Sequence, residues 1–377
     1  MLVLDSSLAS KEILDYLEQS GQPVLENATS RAYAQSRNLN LQKAPEPGER
    51  IIATSELHFE EIKACASEEV KHGIEVCKDK AECRRLLAPL YPDYQFAQYT
   101  LSQLKATDPQ SVAYPVIIKP STGFFSLGIY PAYNTQQWEA AVADIQASSS
   151  SWEQMFNGSV VNDSSFLVES LIEGDEYALD AYYDEEGHAV ILDILKHQFA
   201  DENDVSDRLY FTSKKVMEEN LAPMTKFLED CNAYLGMRNF PVHVEVRKQA
   251  DGSIIPIEFN PLRFAGFCVT DLAYFAYGFK TYQCFLEGKK PDWDALLANK
   301  EGLTYAMILL TKEGYEGSSK PFAYDKFSSS FRNLLALRKT EYADLGTFGF
   351  AFVETRDEDW ETELTAMLHS TLDEFLS

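Results

Sequence analysis

The chain has 377 residues, 45% of them apolar and 12% aromatic, which excludes a disordered protein and is too long for one minimal core, so two or three lobes are expected. Its formal net charge of −26 argues against a general binder of nucleic acid or anionic membrane, because such binding needs clustered Lys and Arg. Six scattered cysteines without a CxxC pair fit reduced thiols in a cytoplasmic protein and argue against a structural zinc site.

The opening MLVLD lacks a basic n-region followed by a long apolar stretch, so no secretory signal is expected. No apolar run is long enough to span a bilayer. MLVLD, SKEILDYLEQSG and QPVLEN read as strand, amphipathic helix and strand, and RIIAT ahead of another helix completes a small α/β lobe, with 42–49 as a loop inside it. CKDKAECRRLLAPLYPDYQF reads as one helix with Leu86, Leu87 and Leu90 on its buried side, closed by Pro92.

From about 112 to 196 strands dominate: YPVIIKP, SFLVES, EYALDAYYD and HAVILDILKH, with NTQQWEAAVADIQ as a helix between the first two and 147–165 as a polar loop. The first of these strands ends on Lys119 and runs into STGFFSLG, a loop carrying Phe124 and Phe125. After 214 a long helix leads to two more strands, then to helices through about 312, and the tail adds one strand, TFGFAFVET, and one helix.

The most informative segment is PVHVEVRKQADGSIIPIEFNP, 241–261. Strand alternation puts His243, Glu245 and Arg247 on one face of its first half, and Glu258 and Asn260 on one face of its second. Asp251-Gly252 suits a two-residue type I′ turn, and the register it sets makes Glu245 face Glu258 and His243 face Asn260. Opposed carboxylates repel, and a divalent cation relieves that repulsion: two carboxylates and an amide oxygen, with room for water and phosphate oxygens, is a donor set that Mg²⁺ accepts. The other reading leaves both glutamates in solvent, partly neutralised by Arg247, since charged hairpin faces are common.

FLVESLIEGDEYALD carries Glu169 at the end of an apolar strand and Glu176 at the start of the next, across a turn at Gly174-Asp175. Such a crossing between lobes can hold a base and a sugar, although exposed strand-end glutamates are also the ordinary case. His243 is either a substrate contact or a structural strand histidine. The aromatic run at 271–282 reads as core packing, with an acceptor pocket as the alternative.

In this order the segments resemble the ATP-grasp superfamily from about residue 76 to 290: Asp79-Lys80 before a helix, YPVIIKPSTGFFSLG, VESLIEGDEY, ILK at 194–196, and HVEV followed by IEFNPLRFAG. The resemblance implies a mixed α/β and α+β fold of ATP-grasp architecture, in which a small N-terminal α/β lobe precedes two α+β lobes enclosing a nucleotide cleft. The implied segments are an N-terminal lobe with its connecting helix (1–110), a lid (111–196), a central subdomain with the metal site (197–312), and a C-terminal strand–helix segment packed on it (313–377). The implied cofactors are ATP and Mg²⁺, two ions bridged by Glu258, with Mn²⁺ as a substitute.

By the same resemblance Lys119 reaches the nucleotide phosphates, and the 121–128 loop, including Ser126, closes over them. Lys80 and Lys196 supply further cationic contacts, Glu169 and the backbone at Leu171 read the adenine edge, and Glu176 holds the ribose hydroxyls. Glu245, Glu258 and Asn260 hold the metal, and Arg263 steadies an acyl phosphate; NPLRF sets Arg263 one residue later than the commoner NPR spacing. Phe124 and Phe125 stand where many relatives are richer in glycine, and either cap the site against water or pack on the lobe.

The implied activity is ATP-dependent ligation of a carboxylate to an amine, of the amino-acid or dipeptide-forming type, through an acyl phosphate. The partners are then a small-molecule carboxylate and amine, with no nucleic acid and no membrane, and the resemblance is compatible with a homodimer. Two alternatives stand beside it: bicarbonate-using carboxylation or carbamoyl-phosphate chemistry, and a nucleotide-binding regulatory or scaffold protein without turnover.

Overall fold

The computed structural model describes all residues of 1–377 apart from 6–8, 122–127, 156–164, 202–203, 205, 313–314, 316–319 and 341–345. Near the N-terminus β1 (Leu2–Val3), β2 (Val24–Leu25), β3 (Leu41–Gln42) and β4 (Ile52–Ala53) pair in parallel in the order β3-β2-β1-β4. Parallel strands need covering on both faces, and β1, β2 and β4 are buried throughout. The helix Lys11–Ser20 covers them with Ile13, Leu14 and Leu17; Ser10 caps its start by accepting from the Ile13 N–H, and Gly21 ends it in the left-handed conformation.

The second sheet is antiparallel, with β5 (Phe96–Thr100), β6 (Val116–Pro120), β7 (Tyr130–Ala132) and β8 (Ser165–Ser170) in the order β5-β8-β6-β7. The helix Thr135–Met155 packs on it through Trp138, Ala141 and Ile145. It runs on through the serine stretch that composition suggested as loop. Serine has only a modest helix penalty, and no Gly or Pro interrupts 135–155.

The third sheet has eight strands: β9 (Asp175–Tyr183), β10 (Ala189–His197), β11 (Leu209–Ser213), β12 (Phe240–Lys248), β13 (Ile254–Pro261), β14 (Leu303–Thr311), β15 (Asn333–Lys339) and β16 (Thr347–Arg356). Their order is β13-β12-β9-β10-β11-β14-β16-β15. One face holds Leu179, Val242, Val244 and Phe259 in a common core with Met217, Met224, Phe227 and Leu228 of the helix Lys214–Leu235. β14 occupies part of the stretch expected to be helical up to 312, and β15 was not expected at all; both are apolar runs too short to tell from helix by periodicity.

The sheets regroup the segments expected from the sequence. β5 lies before residue 111 yet joins the second sheet, β9 and β10 lie before 197 yet form the middle of the eight-stranded sheet, and β16 and β15 extend that sheet beyond 312. The single helix expected up to Pro92 is divided at Asp79, whose extended backbone breaks it and whose carboxylate accepts from the Ala81 and Glu82 N–H groups to start a second helix, Lys80–Leu87. Among the described residues no helix is long and apolar enough to cross a membrane, and none of the six cysteines is in a disulfide.

Candidate active site

The β12–β13 hairpin carries Glu245 opposite Glu258 and His243 opposite Asn260. The expected pairing is present, but the turn that makes it is not the expected one. Gln249 and Ser253 close a three-residue loop, with the Gln249 N–H donating to Ser253 O and Gly252 at φ +87. Carried along the strands, that register is one residue out; a β-bulge between the Val246–Pro256 and Glu245–Glu258 pairs restores it by inserting Ile257.

The two carboxylates retain 27% and 23% side-chain exposure, so they are half-buried rather than part of the core. Burial, together with Glu258, Glu176 and Asp207, pushes the Glu245 carboxyl well above the usual range. Burial would push Glu258 the same way, but Lys80, Lys119 and Arg263 outweigh it and hold Glu258 low. Lys80 Nζ lies 2.8 Å from Glu258 Oε2, and Asn260 donates its amide N–H to Glu258 Oε1 at 3.1 Å. His243 is held from behind, with Nδ1 2.7 Å from Asp180 Oδ1 and Nε2 3.7 Å from Glu245 Oε1.

Lys119 ends β6 inside the protein, 4% exposed, with Nζ 2.5 Å from Glu169 Oε1. Antiparallel pairing of β6 with β8 places Ile117 opposite Glu169, so Lys119 is its diagonal neighbour on the same face. Arg84, four residues after Lys80 on the same helix, donates through Nε and Nη2 to the other side of Glu169 at 2.8 and 3.2 Å. Burial alone would raise the Glu169 carboxyl; Lys119 and Arg84 reverse this and hold it at about 2. Burial, with Arg84 and Lys80 nearby, lowers the Lys119 ammonium even against Glu169.

Glu176 opens β9 and is fixed from two sides, by His197 Nδ1 at 2.8 Å and Arg247 Nη2 at 2.7 Å. Leu171 donates its N–H to Pro115 O at 3.1 Å. Between β8 and β9, Gly174 has φ +110, and a Cβ there would stand 2.3 Å from Lys248 O, so the crossing admits only glycine. Arg263 donates through Nε to Glu56 Oε1 at 2.9 Å, and Glu56 also binds Lys78. Leu262 adopts φ +53, a left-handed conformation just before Arg263, whose charge helps to hold Glu258 low.

Lys80, Lys119, Glu169, Glu176, Glu245, Glu258, Asn260 and Arg263 thus converge, linked through these contacts and mutual electrostatic influence. Lys196 does not join them. Its cross-strand partner is Tyr177, so it lies on the opposite face of the sheet, 2.7 Å from Asp175 and 5.7 Å above the Tyr177 ring. The side chain on the site's face is the next one, His197, packed between Phe199 and Tyr210. Ser126, Phe124 and Phe125 fall outside the described residues. Arg84, Glu56 and His197 were missed; only Arg84 had a readable signal, its four-residue step from Lys80.

Among the described residues no three of His, Cys, Asp and Glu are arranged to hold a metal by themselves. Glu245, Glu258 and Asn260 nevertheless form a hard-oxygen donor set, with the Lys80 ammonium now lying on Glu258. Such a set would suit Mg²⁺, a hard cation that takes oxygen ligands.

Residues 112–271 match the family model described as ATP-grasp domain. No curated protein sequence matches the chain. Among solved structures it is similar to an L-amino acid ligase from Bacillus licheniformis, with a TM-score of 0.69 at 16% identity over 100% of this chain and 97% of that one. It is also similar to N5-carboxyaminoimidazole ribonucleotide synthetase from Thermotoga maritima, with a TM-score of 0.61 at 13% identity over 97% and 96% of the two chains. Biotin carboxylase from Campylobacter jejuni, solved as a β-γ-ATP complex, gives 0.61 at 12% identity over 94% and 87%. The match to the ATP-grasp domain model is thus confined to residues 112–271, and the chain shares its fold with these solved structures along its length.

Proposed function

We propose that the protein is an ATP-dependent ligase that activates a carboxylate as an acyl phosphate and transfers the acyl group to an amine, with amino acids or small peptides as substrates. The observation that carries this reading is the opposed pair Glu245–Glu258 with Lys80, Lys119 and Arg263 close enough to hold Glu258 charged. Two carboxylates against three cations are suited to a polyanion with its metal rather than to a neutral ligand.

A carboxylate is a poor acyl donor because its leaving group would be oxide. When a carboxylate oxygen attacks the γ-phosphorus of ATP, ADP departs and the acyl carbon acquires phosphate as its leaving group. The amine nitrogen then attacks that carbon, the C–O bond to phosphate breaks, and the amine gives up a proton. Phosphoryl transfer asks the protein for alignment and charge neutralisation more than for covalent help.

Lys119, fixed by Glu169, and Lys80, fixed by Glu258, are held ready for phosphate oxygens. Glu176, braced by His197 and Arg247, offers carboxylate oxygens to ribose hydroxyls. Glu245, Glu258 and Asn260 would hold Mg²⁺, which supplies charge neutralisation on the transferring phosphoryl group. Arg263, steadied by Glu56, faces the charge that builds on the acyl phosphate.

The likeness to an L-amino acid ligase supports amino-acid substrates within this reading. The test is a phosphate-release screen over pairs of carboxylates and amines, with bicarbonate as a separate arm and mass spectrometry of the products. Amide product with stoichiometric ADP and phosphate is expected. Turnover with bicarbonate alone, or nucleotide binding without turnover in any mixture, would reject the ligase.

A further inference from the structure

Arg84 has four acceptors from two different sheets. On β8 it holds both oxygens of Glu169; on β13 its Nη1 donates to Pro256 O at 2.7 Å and its Nη2 to Ile257 O at 3.0 Å. The guanidinium also lies 5.0 Å above the Tyr94 ring, and the residue is 6% exposed. Pro256 and Ile257 are where the bulge displaces the hairpin ladder. A bulge interrupts regular pairing, and Arg84 binds the two carbonyls at that interruption.

The position of the bulge decides what the hairpin presents. With the register of the Gln249–Ser253 end continued unbroken, Glu245 would face Ile257 and Glu258 would point through the other side of the sheet. Lys80 and Arg84, four apart on one helix, therefore hold the two ends of one arrangement: Lys80 takes the Glu258 carboxylate and Arg84 takes the backbone that aims it. The same guanidinium holds Glu169, which holds Lys119. Lysine cannot replace it, since one ammonium has neither the planar fork nor the reach for a carboxylate and two carbonyls together.

We propose that Arg84 is a positioning residue of the nucleotide–metal site, locking the Ile257 bulge so that Glu258 is presented opposite Glu245, and tying that pair to the Lys119–Glu169 unit of the second sheet. The proposal rests on the metal role given above to Glu245 and Glu258. It adds a residue that touches neither metal nor nucleotide and acts through other groups.

The test uses the full-length protein, with Mn²⁺ as the metal probe followed by electron paramagnetic resonance at saturating ADP, and ADP binding measured separately without metal. Arg84→Lys and Arg84→Gln are compared with wild type and with Glu258→Gln, at a temperature well below each melting midpoint; the lysine variant keeps a charge beside Glu169 should the glutamine variant not fold. The expected result is Mn²⁺ affinity reduced about tenfold or more in both Arg84 variants, a clearly larger loss than that of metal-free ADP affinity, which Arg84 reaches only through Glu169 and Lys119. A lowered melting midpoint with unchanged Mn²⁺ affinity, or equal losses of Mn²⁺ and ADP affinity, would overturn the positioning role. Should Glu258→Gln itself leave Mn²⁺ affinity untouched, the metal reading fails instead, which separates the two claims.

Discussion

Glu245 and Glu258 are direct cross-strand partners, two carboxylates set side by side where sheets ordinarily place opposite charges. Glu258 is held low by Lys80, Lys119 and Arg263 against the effect of burial, whereas Glu245 is driven up by burial and by Glu258 itself. The pair is asymmetric: one member keeps its charge by leaning on the lysines, and the other has His243 Nε2 at 3.7 Å.

Replacing Glu258 by Gln removes one carboxylate oxygen of the proposed metal set and the charged partner of Lys80, at a half-buried position. Metal-dependent ATP turnover is expected to fall on the order of 10²-fold or more, with the circular dichroism spectrum unchanged. Steady-state kinetics across a magnesium titration check this, and turnover close to wild type would remove Glu258 from the metal site.

Glu169→Gln leaves Lys119 and Arg84 buried without their shared counter-charge. Breaking a buried ion cluster in this way costs about 3–5 kcal/mol, measurable by denaturant unfolding at neutral pH. The sign in acid follows from the folded value of about 2 against an ordinary 4.5. Stability from Glu169 is complete above the ordinary value and is lost as pH falls towards 2, so the variant should show a smaller acid-induced loss than wild type.

Asp193 and Asp180 oppose each other on β10 and β9 and are both fully buried. Burial first, and Asp180 second, push the Asp193 carboxyl from an ordinary 3.8 to about 8. Between those values the folded protein holds a proton that the unfolded chain has released, so this contribution is complete in acid and is lost as pH rises towards 8. Asp193→Asn, which mimics the protonated form, should gain stability relative to wild type as pH is raised from 5 to 8, by on the order of 1–3 kcal/mol. Parallel pH dependences of the two melting curves would show that Asp193 does not titrate in this window.

Arg263→Lys keeps the charge but loses the fork that meets both Glu56 and an oxyanion. The expected loss is about 10–100-fold in kcat with a smaller change in KM for ATP, read from initial rates with each substrate varied in turn. An unchanged kcat would take Arg263 out of the transition state.

Much of this site was legible because its key residues obey short-range periodicities. Alternation by two grouped Glu245 with His243 and Glu258 with Asn260, and the end of a buried apolar strand marked Lys119. The facing of Glu245 and Glu258 was reached by two departures that cancel: the loop at Ala250–Gly252 is one residue longer than the expected turn, and the bulge at Ile257 returns that residue. Pro256 was the readable hint, since proline within a strand is confined to edges and bulges, but the position of the bulge could not be fixed because the Arg84 that binds it comes from a helix far away in sequence. Lys196 was assigned from the resemblance alone; its pairing with Tyr177 puts it on the sheet face away from Glu245, and its neighbour His197 meets Glu176 instead. Glu56 was beyond reach, since only the meeting of the N-terminal lobe with the Leu262–Arg263 kink brings it to Arg263.

The most direct test of carboxylate activation is the fate of its oxygen. The protein is supplied with ATP, Mg²⁺ and a pool of amino acids labelled with ¹⁸O in their carboxylates, and the released phosphate is weighed by mass spectrometry. An acyl phosphate route predicts phosphate carrying one ¹⁸O from the carboxylate, formed together with ADP and amide. Phosphate without label, or AMP and pyrophosphate as the nucleotide products, would contradict it.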